Sequence, residues 1–174
     1  MHARSRAAAA AILALVLLPF PAWAAERILP GGCRQGECSW LRVARIERVR
    51  ANAQGELRRV TGHRGTSRYD GEPPLVWRAG LRVDWDRRAR SEYAFCSRQR
   101  PAYAFPSGDG YILHYLDLFD LAGYQMASAA MYMRICHGRG FDPERLAPLR
   151  RLGYRPGTRS EQVEDAPPDR LADF

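Results

Sequence analysis

The apolar and polar positions of this chain change rhythm several times, and each rhythm predicts an element. Residues 7–18 form one unbroken apolar run. Over residues 40–50, Leu41, Val43, Ile46 and Val49 recur among arginines with a spacing that slips from two toward three, which fits a bulged strand and a helix equally well. Asn52-Ala53-Gln54-Gly55 predicts a turn, from which residues 57–61 pair back as a hairpin. Residues 63–74, rich in Gly, Arg and Pro, read as a loop. Leu81, Val83 and Trp85 alternate with Arg82, Asp84 and Asp86, the clearest half-buried strand pattern in the chain. Further strands are expected at 93–96, 102–105 and 111–116, the last two joined through Ser107-Gly108-Asp109-Gly110.

The texture then turns helical. Residues 122–136 contain no proline and one charge, Arg134, with Gln125 and Ser128 on one narrow polar stripe, so a helix buried on most of its circumference is expected, with Met126, Met131 and Met133 as core fillers. Asp142-Pro143-Glu144 has the order of an N-cap, a proline and an acid, and predicts a second, amphipathic helix that ends at Gly153. Beyond it the prolines, the acids and the lack of apolar spacing read as a flexible acidic tail over 155–174. The expected fold class is α+β: an antiparallel sheet of about five or six strands covered by one buried and one amphipathic C-terminal helix.

The first apolar run has its own meaning. Arg4 and Arg6 precede it, Pro19 and Pro21 stop it, and Ala22-Trp23-Ala24 offers small residues around a cleavage point, the pattern of a secretory signal peptide over 1–24. The run is too short for a membrane span, which needs about 20 residues, and no later stretch is long enough after cleavage. The remaining residues 25–154 are expected to form one domain, in the periplasm or outside the cell. Four cysteines, all after the signal, then read as two disulfides rather than as a zinc site, because no C-x-x-C pair occurs. Of the three possible pairings Cys33 with Cys38 and Cys96 with Cys136 is favoured, since the first closes a tight loop made flexible by Gly36 and the second joins two distant elements.

Charge adds a partner class. All 27 basic residues are arginine, and without residues 1–24 the chain holds 25 of them against 19 acids. The absence of lysine fits a GC-rich coding bias, so the arginine count by itself implies no specific nucleic acid. Arg87, Arg88 and Arg90, followed by Arg98 and Arg100 with aromatics between, are the candidate surface for an anionic envelope polymer. Another exported protein is the other partner class.

Chemistry is sparse. Gly65-Thr66-Ser67-Arg68-Tyr69 lacks the second glycine of a nucleophile elbow, and no phosphate loop or H-E-x-x-H occurs. No cofactor or metal is implied. His114, on a strand, and His137, beside Cys136, are the candidate bases; Asp84 with Asp86 and Asp117 with Asp120 are the candidate carboxylates. Two readings follow: a non-enzymatic binding or envelope-associated module, or an exported hydrolase whose histidine and carboxylate meet only in three dimensions.

Overall fold

The computed structural model describes residues 27–172, so the expected signal peptide lies outside the described residues. Eight strands, two more than the upper expectation, form one antiparallel sheet: β1 (Arg27–Arg34), β2 (Glu37–Asn52), β3 (Gly55–Arg68), β4 (Asp84–Trp85), β5 (Arg90–Cys96), β6 (Ala102–Ser107), β7 (Gly110–Tyr115) and β8 (Glu161–Val163). Their order is β1-β2-β3-β5-β6-β7-β8, with the short β4 also paired to β3. Among the described residues no helix is long and apolar enough to cross a membrane.

The slipping period of residues 40–50 is explained by two bulges. The register with β3 shifts between Val43 and Arg45 and again between Arg48 and Arg50, and each extra residue turns the following side chains to the other face. The turn after β2 is held by the Asn52 side chain, whose Oδ1 accepts the N–H groups of Gln54 (2.9 Å) and Gly55 (3.0 Å). Its return strand does not stop at residue 61. β3 continues through the stretch expected to be a loop, because the edge it offers is paired on both sides, by β2 and by β5 with β4. Gly65 makes this pairing feasible: a Cβ there would lie 2.6 Å from both Trp85 and Val83. Leu81, Val83 and Trp85 keep their alternating burial, but only Asp84 and Trp85 pair as strand.

Both faces of the sheet are covered. On one, α1 (Met126–His137), entered through the 3₁₀ turn Gly123–Gln125, packs Ala129, Tyr132, Met133 and Ile135 against Leu41, Val60, Ala94 and Tyr103. The polar stripe of this helix faces inward rather than outward: Gln125 and Ser128 are buried and bonded to the sheet side, while Ala127 is exposed. On the other face Leu57, Phe95, Ala102, Ala104, Leu113 and Tyr115 form a second core, closed by Ala166 and Leu171.

That closure corrects the expectation of a flexible acidic tail. Residues 155–172 carry β8 and the 3₁₀ segment Pro168–Ala172, and Leu171 is fully buried. Two apolar residues among the acids are enough to dock the segment once an uncovered sheet face awaits them. The expected second helix is also shorter, α2 (Ala147–Arg151); Asp142 instead makes a local turn, its Oδ1 accepting the Glu144 N–H at 3.0 Å.

Both disulfides form as expected, Cys33–Cys38 and Cys96–Cys136, with Cα separations of 4.0 and 5.5 Å. The second staples the last turn of α1 to the end of β5.

Candidate functional site

The register of the sheet sets out one polar row beneath α1: Arg48, Arg58, Ala94, Tyr103, His114 and Gln162 lie side by side across β2, β3, β5, β6, β7 and β8. Both ends of α1 are tied to it. Arg58 Nη1 donates to the Ile135 carbonyl (2.9 Å), placing a cation where the helix dipole is negative. At the other end His114 Nδ1 lies 2.8 Å from Ser128 Oγ.

The direction of the second contact follows from the groups around it. His114 Nε2 is 2.9 Å from Gln162 Oε1, and the other end of that amide, Nε2, donates to Glu164 at 2.8 Å. The amide oxygen therefore faces the imidazole, Nε2 carries the proton, and Nδ1 accepts from the Ser128 hydroxyl. Burial holds His114 below its ordinary value, so this neutral form is the one present near pH 7. The result is an ordered serine–histidine–amide relay that runs from the core to the exposed Gln162 on β8.

Beside it runs an acid–base pair. Glu92 is fully buried, paired with Arg64, and accepts the Tyr103 hydroxyl. Burial raises the Glu92 carboxyl, and the Arg64 cation opposes that rise. Arg64, Tyr103, Phe105, Tyr124, Ser128 and Met131 line a cavity of about 180 Å³ between α1 and the sheet. That is smaller than the roughly 300–1,000 Å³ usual for ligand pockets. A wider pocket of about 450 Å³ opens at the far end of α1, between the β2–β3 turn and the end of β5, with Arg98, His137 and Tyr154 in its wall.

The arginines of the candidate surface do not converge. Arg87, Arg88 and Arg90 are exposed on the approach to β5, about 20 Å from its far end at the usual rise per strand residue. Beyond that end Arg98 is exposed beside Gly153, whereas Arg100 is half-buried near Tyr115 and Arg159. The carboxylate candidates separate as well. Asp84 and Asp86 are exposed, as their alternation implied. Asp117 is buried and structural, its two oxygens accepting the N–H groups of Phe119 (3.0 Å) and Gly157 (2.7 Å), while Asp120 is exposed.

His137 bonds to Tyr154 (2.6 Å) and His114 to Ser128 and Gln162, so the side-chain partners of both are hydroxyls and an amide. Glu92, the buried acid of the site, was missed from sequence. Its signal is an acid at a position that should face inward on an alternating strand, between Ser91 and Tyr93.

Among the described residues no group of three or more His, Cys, Asp or Glu side chains is placed to hold a metal ion. The chain matches no family model, no curated protein and no solved structure.

Proposed function

We propose that this protein is an exported, non-enzymatic binding module that holds an anionic polymer of the cell envelope through exposed guanidinium groups. The observation that carries this reading is the approach to β5. Arg87, Arg88 and Arg90 are all exposed, and their guanidinium groups have no ion-pair partner among the described residues. Unpaired surface cations attract a polyanion without a shaped site. Export is supported by two closed disulfides, which persist in oxidising compartments.

The test is retention on an anionic glycan matrix across a salt series. Retention should be present at low salt and weaken steeply as the Debye length falls from about 10 Å at 0.1 M to about 3 Å at 1 M. Replacing Arg87, Arg88 and Arg90 together by serine should loosen it, with stability changed by no more than about 0.5 kcal/mol for surface positions. Absent retention at low salt, or equal retention of the two proteins, would sink the reading.

A second reading, a hydrolase centred on His114, has one observation in its favour. Ser128, the serine bonded to that imidazole, also lines the cavity against Arg64.

A further inference from the structure

The pocket at the C-terminal end of α1 is lined by Asn52, Gln54, Ser97, Arg98, His137 and Tyr154, among others, and no carboxylate is in its wall. Its polar groups have a fixed order. The Ser97 carbonyl can only accept, so the Tyr132 hydroxyl donates to it at 2.9 Å. Tyr132 oxygen must then accept from the Tyr154 hydroxyl, 2.7 Å away, and Tyr154 oxygen must accept from His137 Nε2–H at 2.6 Å. A neutral His137 is left with Nδ1 as a bare acceptor. Neutrality is enforced by burial and by the surrounding cations Arg139, Arg58 and Arg98, all of which push this histidine below its ordinary value.

Of these cations Arg58 is matched by Glu56 at 2.6 Å, whereas Arg98 has no ion-pair partner among the described residues. Arg98 is nonetheless positioned. Its stem crosses Gly153, where an added Cβ would stand 3.1 Å from Arg98 Cδ and where the backbone has φ +88°. The turn above the pocket keeps its own Gln54 Oε1 buried, so the open acceptor of the pocket is His137 Nδ1.

The geometry points to a subsite for an anionic sugar residue, a uronic acid or a sugar phosphate, with its charged group on Arg98 and a hydroxyl donating to His137 Nδ1. A bare anion would leave the His137 acceptor unmet, and a neutral sugar would leave the guanidinium unmet. This assignment rests on the anionic-polymer reading and gives that polymer one shaped contact.

The experiment follows the imidazole nitrogen signals of His137 in the folded, disulfide-bonded protein at low salt. Glucuronate and glucose 6-phosphate are titrated against acetate and sulfate, and the first pair separates the carboxylate from the phosphate source. A sugar acid should move the Nδ1 signal saturably and bind about tenfold tighter than the hydroxyl-free anions, the worth of one added hydrogen bond. Arg98→Ser should weaken it about tenfold or more, while the Arg87, Arg88 and Arg90 triple variant should bind as the parent does. Equal binding of acetate and glucuronate, a silent His137, or an Arg98→Ser protein that binds normally would overturn the subsite. If His137 is silent while polymer retention depends on the triple variant, the subsite alone falls. If His137 responds to sugars while retention is absent, the polymer reading alone falls.

Discussion

Ser128 donates its hydroxyl proton to His114 Nδ1 across 2.8 Å, joining α1 to β7 inside the core. Each partner is almost wholly buried, so each depends on the other for its hydrogen bond. Removing the hydroxyl with Ser128→Ala leaves a buried imidazole nitrogen unpaired. It should destabilise the protein by about 1–3 kcal/mol, read from urea unfolding. The same variant decides the hydrolase reading. Release of p-nitrophenolate from short-chain esters by the parent protein should not exceed that by Ser128→Ala. Turnover that vanishes with the serine would move the function to acyl transfer.

Stability should fall as the solution is acidified below about pH 6.5. His114 and His137 are both held below their ordinary value in the folded state. Between those lowered values and the unfolded value near 6.5 the unfolded chain therefore binds more protons, and acid favours it. The stability they contribute is present above pH 6.5 and is lost as pH falls through their folded values. Glu92 acts in the opposite sense, because its carboxyl is raised in the fold: its contribution is present at low pH and is lost as pH rises through the raised value. Urea midpoints at pH 7.5, 6.5 and 5.5, compared between the parent and His114→Gln, isolate the histidine component. An unchanged slope in the variant would exclude His114 as its source.

The two disulfides should contribute unequally. On the chain-entropy model the Cys33–Cys38 loop, with a separation of 5 residues, is worth about 2 kcal/mol, and the Cys96–Cys136 loop, with a separation of 40, about 4 kcal/mol. Paired serine variants of each bridge, compared by chemical unfolding, should keep that order. A peptide map without reductant should show both cross-links and no free thiol.

Leu171→Ala should cost about 2–5 kcal/mol, the range for emptying a leucine site in a packed core, because Leu171 closes the second face of the sheet. The result bears on electrostatics too. Deleting residues 160–174 would strip β8 from β7 and open this core, so it cannot serve as a pure change of charge. Neutralising Glu164 and Asp165 with their amides tests acidic competition for a polyanion without that damage. The expected outcome is tighter retention at low salt.

Several features are written locally, by short-range physics. Of the three disulfide pairings four cysteines allow, spacing favours the one that forms. The hairpin over β6 and β7 follows from alternation and a glycine turn. The helix over α1 follows from a long apolar stretch without breakers, and the exposure of Asp84, Asp86, Arg87, Arg88 and Arg90 follows from alternation and charge density. Each remaining feature depends on a partner distant in the chain and so emerges only when the chain is folded. Residues 63–68 are strand since β2 pairs one edge throughout and β4 pairs the other at Gly65 and Thr66, and no local pattern carries that information. The acidic C-terminal segment is docked since the sheet presents a bare face for Ala166 and Leu171. Gln125 and Ser128, read as an outward stripe, turn inward since Tyr115 and His114 offer them hydrogen bonds that repay their burial. Glu92 with Arg64, and Arg98 with His137, meet across separations of 28 and 39 residues. Proximity at that range, attractive for Glu92 with Arg64 and repulsive between Arg98 and a charged His137, is created by strand register and helix placement, which the order of residues constrains only through the whole fold.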